Sequence, residues 1–270
     1  MPLPSLESLT RARVLFVFAH PDDESIGLGG ILNQFRDAWF ACLTDGAPRD
    51  ASYAHAAGCD TPMAYARQRR RELAIALALA GHDSDRLIAL GFTDQELAHS
   101  LEGITQAVEV LLQRVRPDCV VTHPYEGGHP DHDATAFAVH TALAAHAGDY
   151  GEPLLLETTS YHAQGDTLVW SEFLPNTEDA SLAVELTSAQ RAQKRRLLAA
   201  HASQAATLRD VPLERDLLRV APRYDFSKPP HEGRLFYENF PWGATGEQWR
   251  HAAALALERL HLSALTAAAY

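Results

Sequence analysis

At 270 residues the chain can bury a generous core, and its 23 Lys and Arg against 35 Asp and Glu leave a formal net charge of −12. That balance argues against a nucleic-acid or anionic-membrane surface and against a polyanionic substrate. Cys42, Cys59 and Cys119 are odd in number, widely spaced and form no CxxC pair, so neither a disulfide framework nor a thiolate zinc knuckle is indicated and a reducing cytoplasm suits them.

The N-terminus lacks a basic region ahead of an apolar stretch, and no run approaches the roughly 18 apolar residues of a membrane span, so no membrane anchor is expected. The first apolar run, residues 14–19, reads as a central strand covered on both faces; open α/β sheets place ligands at the carboxyl ends of such strands. His20, Pro21, Asp22, Asp23 and Glu24 follow at once. Imidazole and carboxylate are ligands for a divalent ion such as zinc, so His20 and Asp23 start a metal site. Asp22, uncoordinated beside them, is a candidate general base. Taken alone, the same residues also suit an Asx turn or a helix N-cap. Gly27, Gly29 and Gly30 invite a dinucleotide-binding reading, but Leu32 stands where the fingerprint needs another glycine and charged side chains fill the turn. These glycines read instead as permitting close packing of helix on strand.

Further strands are expected at 39–44, 86–89, 119–122 and 154–161, alternating with helices at about 25–35, 62–80, 101–115 and 132–146. The alternation predicts a Rossmann-like α/β fold, a mostly parallel sheet flanked by helices, whose strand order is not legible. Residues 45–61, rich in Gly, Ala, Pro and Asp, form an irregular excursion of the length of a binding loop or lid. A second cluster, His129-Pro130-Asp131-His132, follows the 119–122 strand and a glycine loop and opens a helix, repeating the pattern of the first cluster. His123 and His140 read as non-ligands. Past residue 161 the alternation weakens: 164–177 is loop or hairpin, and 187–206 a helix with Arg191, Lys194, Arg195 and Arg196 on a solvated face. Then come a mixed, Pro-rich 211–230, a strand-like 235–240 and an amphipathic helix over 246–265. One domain over 1–270 is expected, with a core at about 12–205 and a C-terminal elaboration at about 206–270.

The pair formed by His20-Pro21-Asp22-Asp23-Glu24 and His129-Pro130-Asp131-His132 resembles the signature of the PIG-L/LmbE family of metal-dependent de-N-acetylases. Thr44-Asp45-Gly46, Arg69 three residues before Glu72, Asp94 and the late His201-x-Ser203-Gln204 extend the resemblance over roughly residues 12–205. It implies a Rossmann-like fold, one zinc or ferrous ion, and hydrolysis of the acetamide of an N-acetylglucosamine-type sugar or conjugate.

On that reading His20, Asp23 and His132 hold the metal and leave a position open for water, whose proton Asp22 takes during attack. His129 is the candidate donor to the oxyanion and to the leaving amine, with Asp131 orienting or charging its imidazole. Glu24 is a capping or supporting carboxylate. The resemblance implies that Arg69 and Asp94 bind sugar hydroxyls. His201 and Gln204, spaced to share one helix face, could meet the same site. Tyr125 is a further substrate or oxyanion contact, although the family tyrosine falls where this chain has Gly127. Two other readings use the same residues: hydrolysis of another small N-acyl or O-acyl substrate, and a metal- or sugar-binding module without catalysis. The expected partner is a small amino-sugar substrate; a homo-oligomer is left open.

Overall fold

A computed structural model describes residues 3–145, 152–165, 167–175 and 181–262. Its strands are β1 (Arg13–Phe18), β2 (Asp37–Thr44), β3 (Leu87–Phe92), β4 (Cys119–Thr122), β5 (Leu154–Thr158), β6 (Tyr161–Gln164), β7 (Thr167–Trp170), β8 (Ser181–Glu185) and β9 (Arg215–Val220). Its α-helices are α1 (Leu6–Arg11), α2 (Asp23–Leu28), α3 (Ala51–Ala56), α4 (Pro62–Leu79), α5 (Leu101–Val115), α6 (Pro130–Ala145), α7 (Ser188–Ala200) and α8 (Gly246–Arg259). None of the described helices is long and apolar enough to cross a membrane.

The main sheet runs β3-β2-β1-β4-β5-β9-β8, parallel through β5 and antiparallel at β9 and β8, while β6 and β7 form a separate hairpin. The chain winds outward from β1 through β2 to β3, then returns to lay β4 on the other side of β1. That reversal opens a crevice between the carboxyl ends of β1 and β4, the place where such sheets bind ligands. Leu15 and Val17 of β1 enter a core with α5, α6 and α8, whereas Val14, Phe16 and Phe18 enter a second core with α2, α4 and α7. Burial on both faces is why β1 reads as an unbroken apolar run.

The helix starts follow local chemistry. Thr61 Oγ1 accepts the Ala64 N–H at 3.1 Å, with Pro62 as the first helical residue of α4. Thr187 and Gln190 close a capping box on α7. A methyl group on Gly27 would meet Thr158 Cγ2 at 2.6 Å, and one on Gly30 would meet Leu186 Cδ1 at 2.4 Å, so these glycines do allow α2 and the turn after it to press against β5 and the β8 end.

Several expectations change. The helix at 25–35 is α2 plus a 3-10 turn at Leu32–Gln34, and the strand at 154–161 is broken into β5 and β6. The strand-like 235–240 is a 3-10 turn at Phe236–Asn239, and the binding excursion contains α3. Strands β8 and β9 escaped notice because, in the antiparallel part of the sheet, neither shows the continuous apolar run of β1. The hairpin reading of 164–177 survives as β6 and β7, shifted earlier; Thr177, His146 and 263–265 lie outside the described residues. Helix α7 ends at Ala200, short of the expected 206, and Lys194 is not on its solvated face. Lys194 is fully buried, and its ammonium donates to Asp216 Oδ1 at 2.7 Å, while Asp216 Oδ2 accepts the Gly30 N–H at 2.9 Å. Removing one partner of a buried ion pair leaves the other charge uncompensated, so Lys194→Ala is expected to lower the unfolding free energy by about 3–5 kcal/mol in urea denaturation. A loss below about 1 kcal/mol would show that the pair does not hold α7 to β9.

Candidate metal centre

The end of β1 is fastened on both sides. The Ala19 carbonyl accepts the Thr44 N–H (2.9 Å) and the Thr44 hydroxyl (2.8 Å) from β2, and the Ala19 N–H donates to His123 Nε2 (3.0 Å) just beyond β4. The chain then turns sharply: the Asp22 N–H donates to the His20 carbonyl (3.0 Å), and the His20 N–H to Asp23 Oδ2 (2.7 Å). Asp22 stands at the N-cap of α2 but makes no capping bond. Its carboxylate is drawn away by Arg69, whose Nη2 donates to Asp22 Oδ2 at 2.8 Å.

Candidate ligand atoms of three residues, with both oxygens of Asp23, converge at this turn. His20 Nδ1 lies 3.1 Å from His132 Nε2 and 3.5 Å from Asp23 Oδ2, and Asp23 Oδ1 lies 3.2 Å from His132 Nε2. A tetrahedral ion with bonds of about 2.0–2.2 Å places its ligands roughly 3.3–3.6 Å apart, so the spacing fits zinc or an ion of similar size. Other buried trios, His20 with His129 and His132, Asp23 with His123 and His132, and His20 with Asp94 and Asp131, also bring ligand atoms within 4.8 Å of one another. Backbone N–H groups already engage members of these trios. Ala19 donates to His123 Nε2, Asp131 to His129 Nδ1 (3.1 Å), and Gln95 and Leu97 to the two oxygens of Asp131 (2.7 and 3.1 Å).

The electrostatics suit a cation. His20 Nε2 faces Asp94 Oδ1 at 3.1 Å and Asp131 Oδ2 at 3.4 Å, the arrangement by which carboxylates orient a metal-ligating imidazole. Burial opposes a charge on His20, yet the charge of Asp94 and hydrogen bonds to Asp131, Asp23 and Asp94 push its pKa well above the usual imidazole value. Burial likewise opposes ionisation of Asp23, but His132 and His123 hold its carboxyl well below the usual range. His123 is driven the other way, to about 4, by burial and by His132, and is neutral. Asp22 is raised, burial outweighing the Arg69 guanidinium.

A cavity of about 310 Å³ opens over these groups, with His20, Asp22, Asp23, His129 and His132 among its lining residues. Arg69, Asp94 and Gln204 also reach it. Arg69 Nη1 donates to the Gly46 carbonyl (2.9 Å), and Ser203 binds Glu72 through both its N–H (3.0 Å) and its hydroxyl (2.6 Å). The scattered fragments around Thr44, Arg69, Glu72 and Ser203 are thus one connected wall.

Three expected roles are corrected. Tyr125 is buried outside the cavity among Tyr224, Phe226 and Trp249, and its hydroxyl donates to the Lys228 carbonyl at 2.9 Å. His201 is fully buried and faces Glu24 Oε1 (3.4 Å) and Ser25 Oγ (3.2 Å). It does not share a helix face with Gln204, because α7 stops at Ala200 and a 3-10 turn swings Gln204 towards Tyr65. Asp131 does not touch the His129 ring with its carboxylate: as the second residue of α6 it reaches the backbone at 95–97 and His20, and only its N–H meets His129. Tyr53, Tyr65, Tyr161, Trp170 and Trp242 line the cavity without having been singled out. Tyr65, one helical turn before Arg69, was the one with a periodic signal.

A family model described as GlcNAc-PI de-N-acetylase, PIG-L, matches residues 15–143, which include β1, β4 and both histidine clusters. That segment, just under half of the chain, is similar to the PIG-L family. Among curated relatives, the 1D-myo-inositol 2-acetamido-2-deoxy-alpha-D-glucopyranoside deacetylase of Kineococcus radiotolerans is 32% identical, over 54% of this chain and 49% of that one. The probable N-acetyl-alpha-D-glucosaminyl L-malate deacetylase 2 of Bacillus subtilis is 35% identical, over 49% and 61%. The chain therefore spans about half to three-fifths of these relatives' length. Among solved structures of similar fold, N,N'-diacetylchitobiose deacetylase from Pyrococcus horikoshii superposes with a TM-score of 0.56 at 22% identity, over 75% of this chain and 74% of that one.

The placement of Tyr125 is testable. Tyr125→Phe removes one hydrogen bond and no packing, so thermal denaturation should show a loss of about 0.5–1.5 kcal/mol, with ligand binding in the cavity unchanged within about twofold. A large loss of ligand binding would return Tyr125 to the site.

Proposed function

We propose that the protein is a metal-dependent hydrolase that removes the N-acetyl group from an N-acetylglucosamine-type sugar or sugar conjugate. The observation that carries this reading is the meeting of His20 Nδ1, Asp23 and His132 Nε2 at 3.1–3.5 Å, beside a carboxylate, Asp22, that belongs to no ligand trio. The acetamido-sugar deacetylase names of the Kineococcus and Bacillus relatives support the reaction class. His20, Asp23 and His132 would hold zinc or ferrous iron, and the ion when bound would acidify a water and polarise the acetamide carbonyl.

Asp22 is the general base. Arg69 engages its Oδ2 and leaves Oδ1 to receive the proton of the attacking water, while burial raises its proton affinity. His129 supplies a donor: its Nδ1 accepts the Asp131 N–H, which fixes the neutral ring with its proton on Nε2, suited to a developing oxyanion. Asp131 and Asp94 orient His20 from behind. Arg69, Asp94 and Gln204, at the cavity wall, are assigned to the sugar hydroxyls. We read residues 12–205 as the catalytic core and 206–270 as an elaboration of the same domain, supported by Trp249 of α8, whose indole N–H donates to the Pro130 carbonyl at 3.1 Å. Three free cysteines and the want of a spanning helix among the described residues support a cytoplasmic setting.

Chelator-stripped protein should release no acetate from N-acetylglucosamine conjugates and should regain activity with one zinc or ferrous ion per chain. Restored metal without acetate release from any conjugate would contradict the reading. Asp22→Ala is expected to retain the ion and lose about a hundredfold to ten-thousandfold in kcat, whereas His20→Ala loses both. Asp131→Asn should weaken metal affinity by about 10–100-fold in competition with a chromogenic chelator, since it orients His20 without ligating. Unchanged affinity would remove it from that role.

A further inference from the structure

The cavity above the histidines has a chemical character beyond what deacetylation requires. From His129 one aromatic wall rises: the Trp242 ring sits 4.6 Å from the His129 ring, Trp242 Nε1 donates to the Tyr53 hydroxyl at 3.1 Å, and Phe240 stacks on Trp242 at 4.4 Å and 12°. From His132 a second wall rises through Tyr161, 5.5 Å away, to Trp170, 4.9 Å further. Ile26 and Leu208 add aliphatic surface. Among the described residues of the lining, Arg69 is the one Lys or Arg, and its two terminal nitrogens already donate to Asp22, Gly46 and Pro21. Three carboxylates, Asp22, Asp23 and Asp94, share the same space. Trp170 and Trp242 both lie outside the 15–143 segment that matches the family model.

An anionic group on the aglycone would lose its hydration among these aromatic walls without gaining a Lys or Arg partner from the lining. A flat, uncharged group would gain aromatic stacking and apolar burial. We propose that Trp170 and Trp242, with Tyr53 and Tyr161, form an aglycone subsite that takes an uncharged group with an aromatic or apolar face and rejects carboxylate- or phosphate-bearing ones. The inference rests on the sugar-conjugate reading and names the class of conjugate.

The test uses the zinc-loaded full chain and three glucosaminides that lack the acetyl group and so are not turned over: methyl, phenyl and para-carboxyphenyl. By isothermal titration the phenyl glycoside should bind about tenfold tighter than the methyl and about tenfold tighter than the para-carboxyphenyl. Trp170→Ala and Trp242→Ala should each reduce the phenyl-over-methyl advantage at least about threefold; should one variant fail to fold, the other carries the comparison. Equal or tighter binding of the para-carboxyphenyl glycoside, a phenyl advantage untouched by either variant, or no binding of any glycoside overturns the subsite. Acetate release from the three N-acetyl counterparts is scored separately. Release with no phenyl preference leaves the deacetylase reading standing and the subsite refuted, and silence from all three refutes the reading on which it rests.

Discussion

The Asp23 carboxylate is the constraint on which the rest of the molecule depends. It takes the His20 N–H at 2.7 Å, closing the turn after β1, and it meets His132 at 3.2 Å and His123 at 3.2 Å, both from the β4 side of the crevice. One buried anion thereby ties together two strand ends that lie about a hundred residues apart in sequence. A carboxylate in that position is costly unless cationic or hydrogen-bonding partners surround it. The histidine clusters are those partners, and an ion held among them would complete the compensation.

The fold supplies this convergence through ordinary packing. Alternate residues of β1 feed two separate cores, so its carboxyl end is held from both faces as well as from β2 and β4. Gly27 and Gly30 let α2 and the turn after it approach β5 and the β8 end, and the buried Lys194–Asp216 pair joins α7 to β9 behind them. Around the turn, supporting contacts outnumber the ligands. Asp94 and Asp131 face His20, Arg69 holds Asp22, and His201 with Ser25 holds Glu24. Rigid support of this kind keeps reacting groups within a fraction of an ångström of their working positions.

Much of this was legible in the residues. The run before His20 announced a central strand, and the two His-Pro-Asp clusters announced the crevice, because apolar periodicity and ligand chemistry are local properties. What escaped was long-range. Lys194 reads as a surface charge on any helical projection, and only the approach of Asp216 buries it. Tyr125 and His201 sit close in sequence to cavity-lining residues but are turned inward by neighbours the chain supplies from 224 to 249 and from α2. Trp242 and Trp170 stand in a loop and a short hairpin with no period to mark them, and reach the cavity through packing alone.

In the proposed function His20, Asp23 and His132 are the ligands of one ion. An anomalous-difference map from zinc-loaded crystals, collected at the zinc edge, tests it most directly. The account predicts a single peak at about 2.0–2.3 Å from His20 Nδ1, an Asp23 oxygen and His132 Nε2, with Asp22 outside bonding distance. A peak held instead by His123 or His129, or one bonded to Asp22, would contradict the ligand set and the role of Asp22 as base.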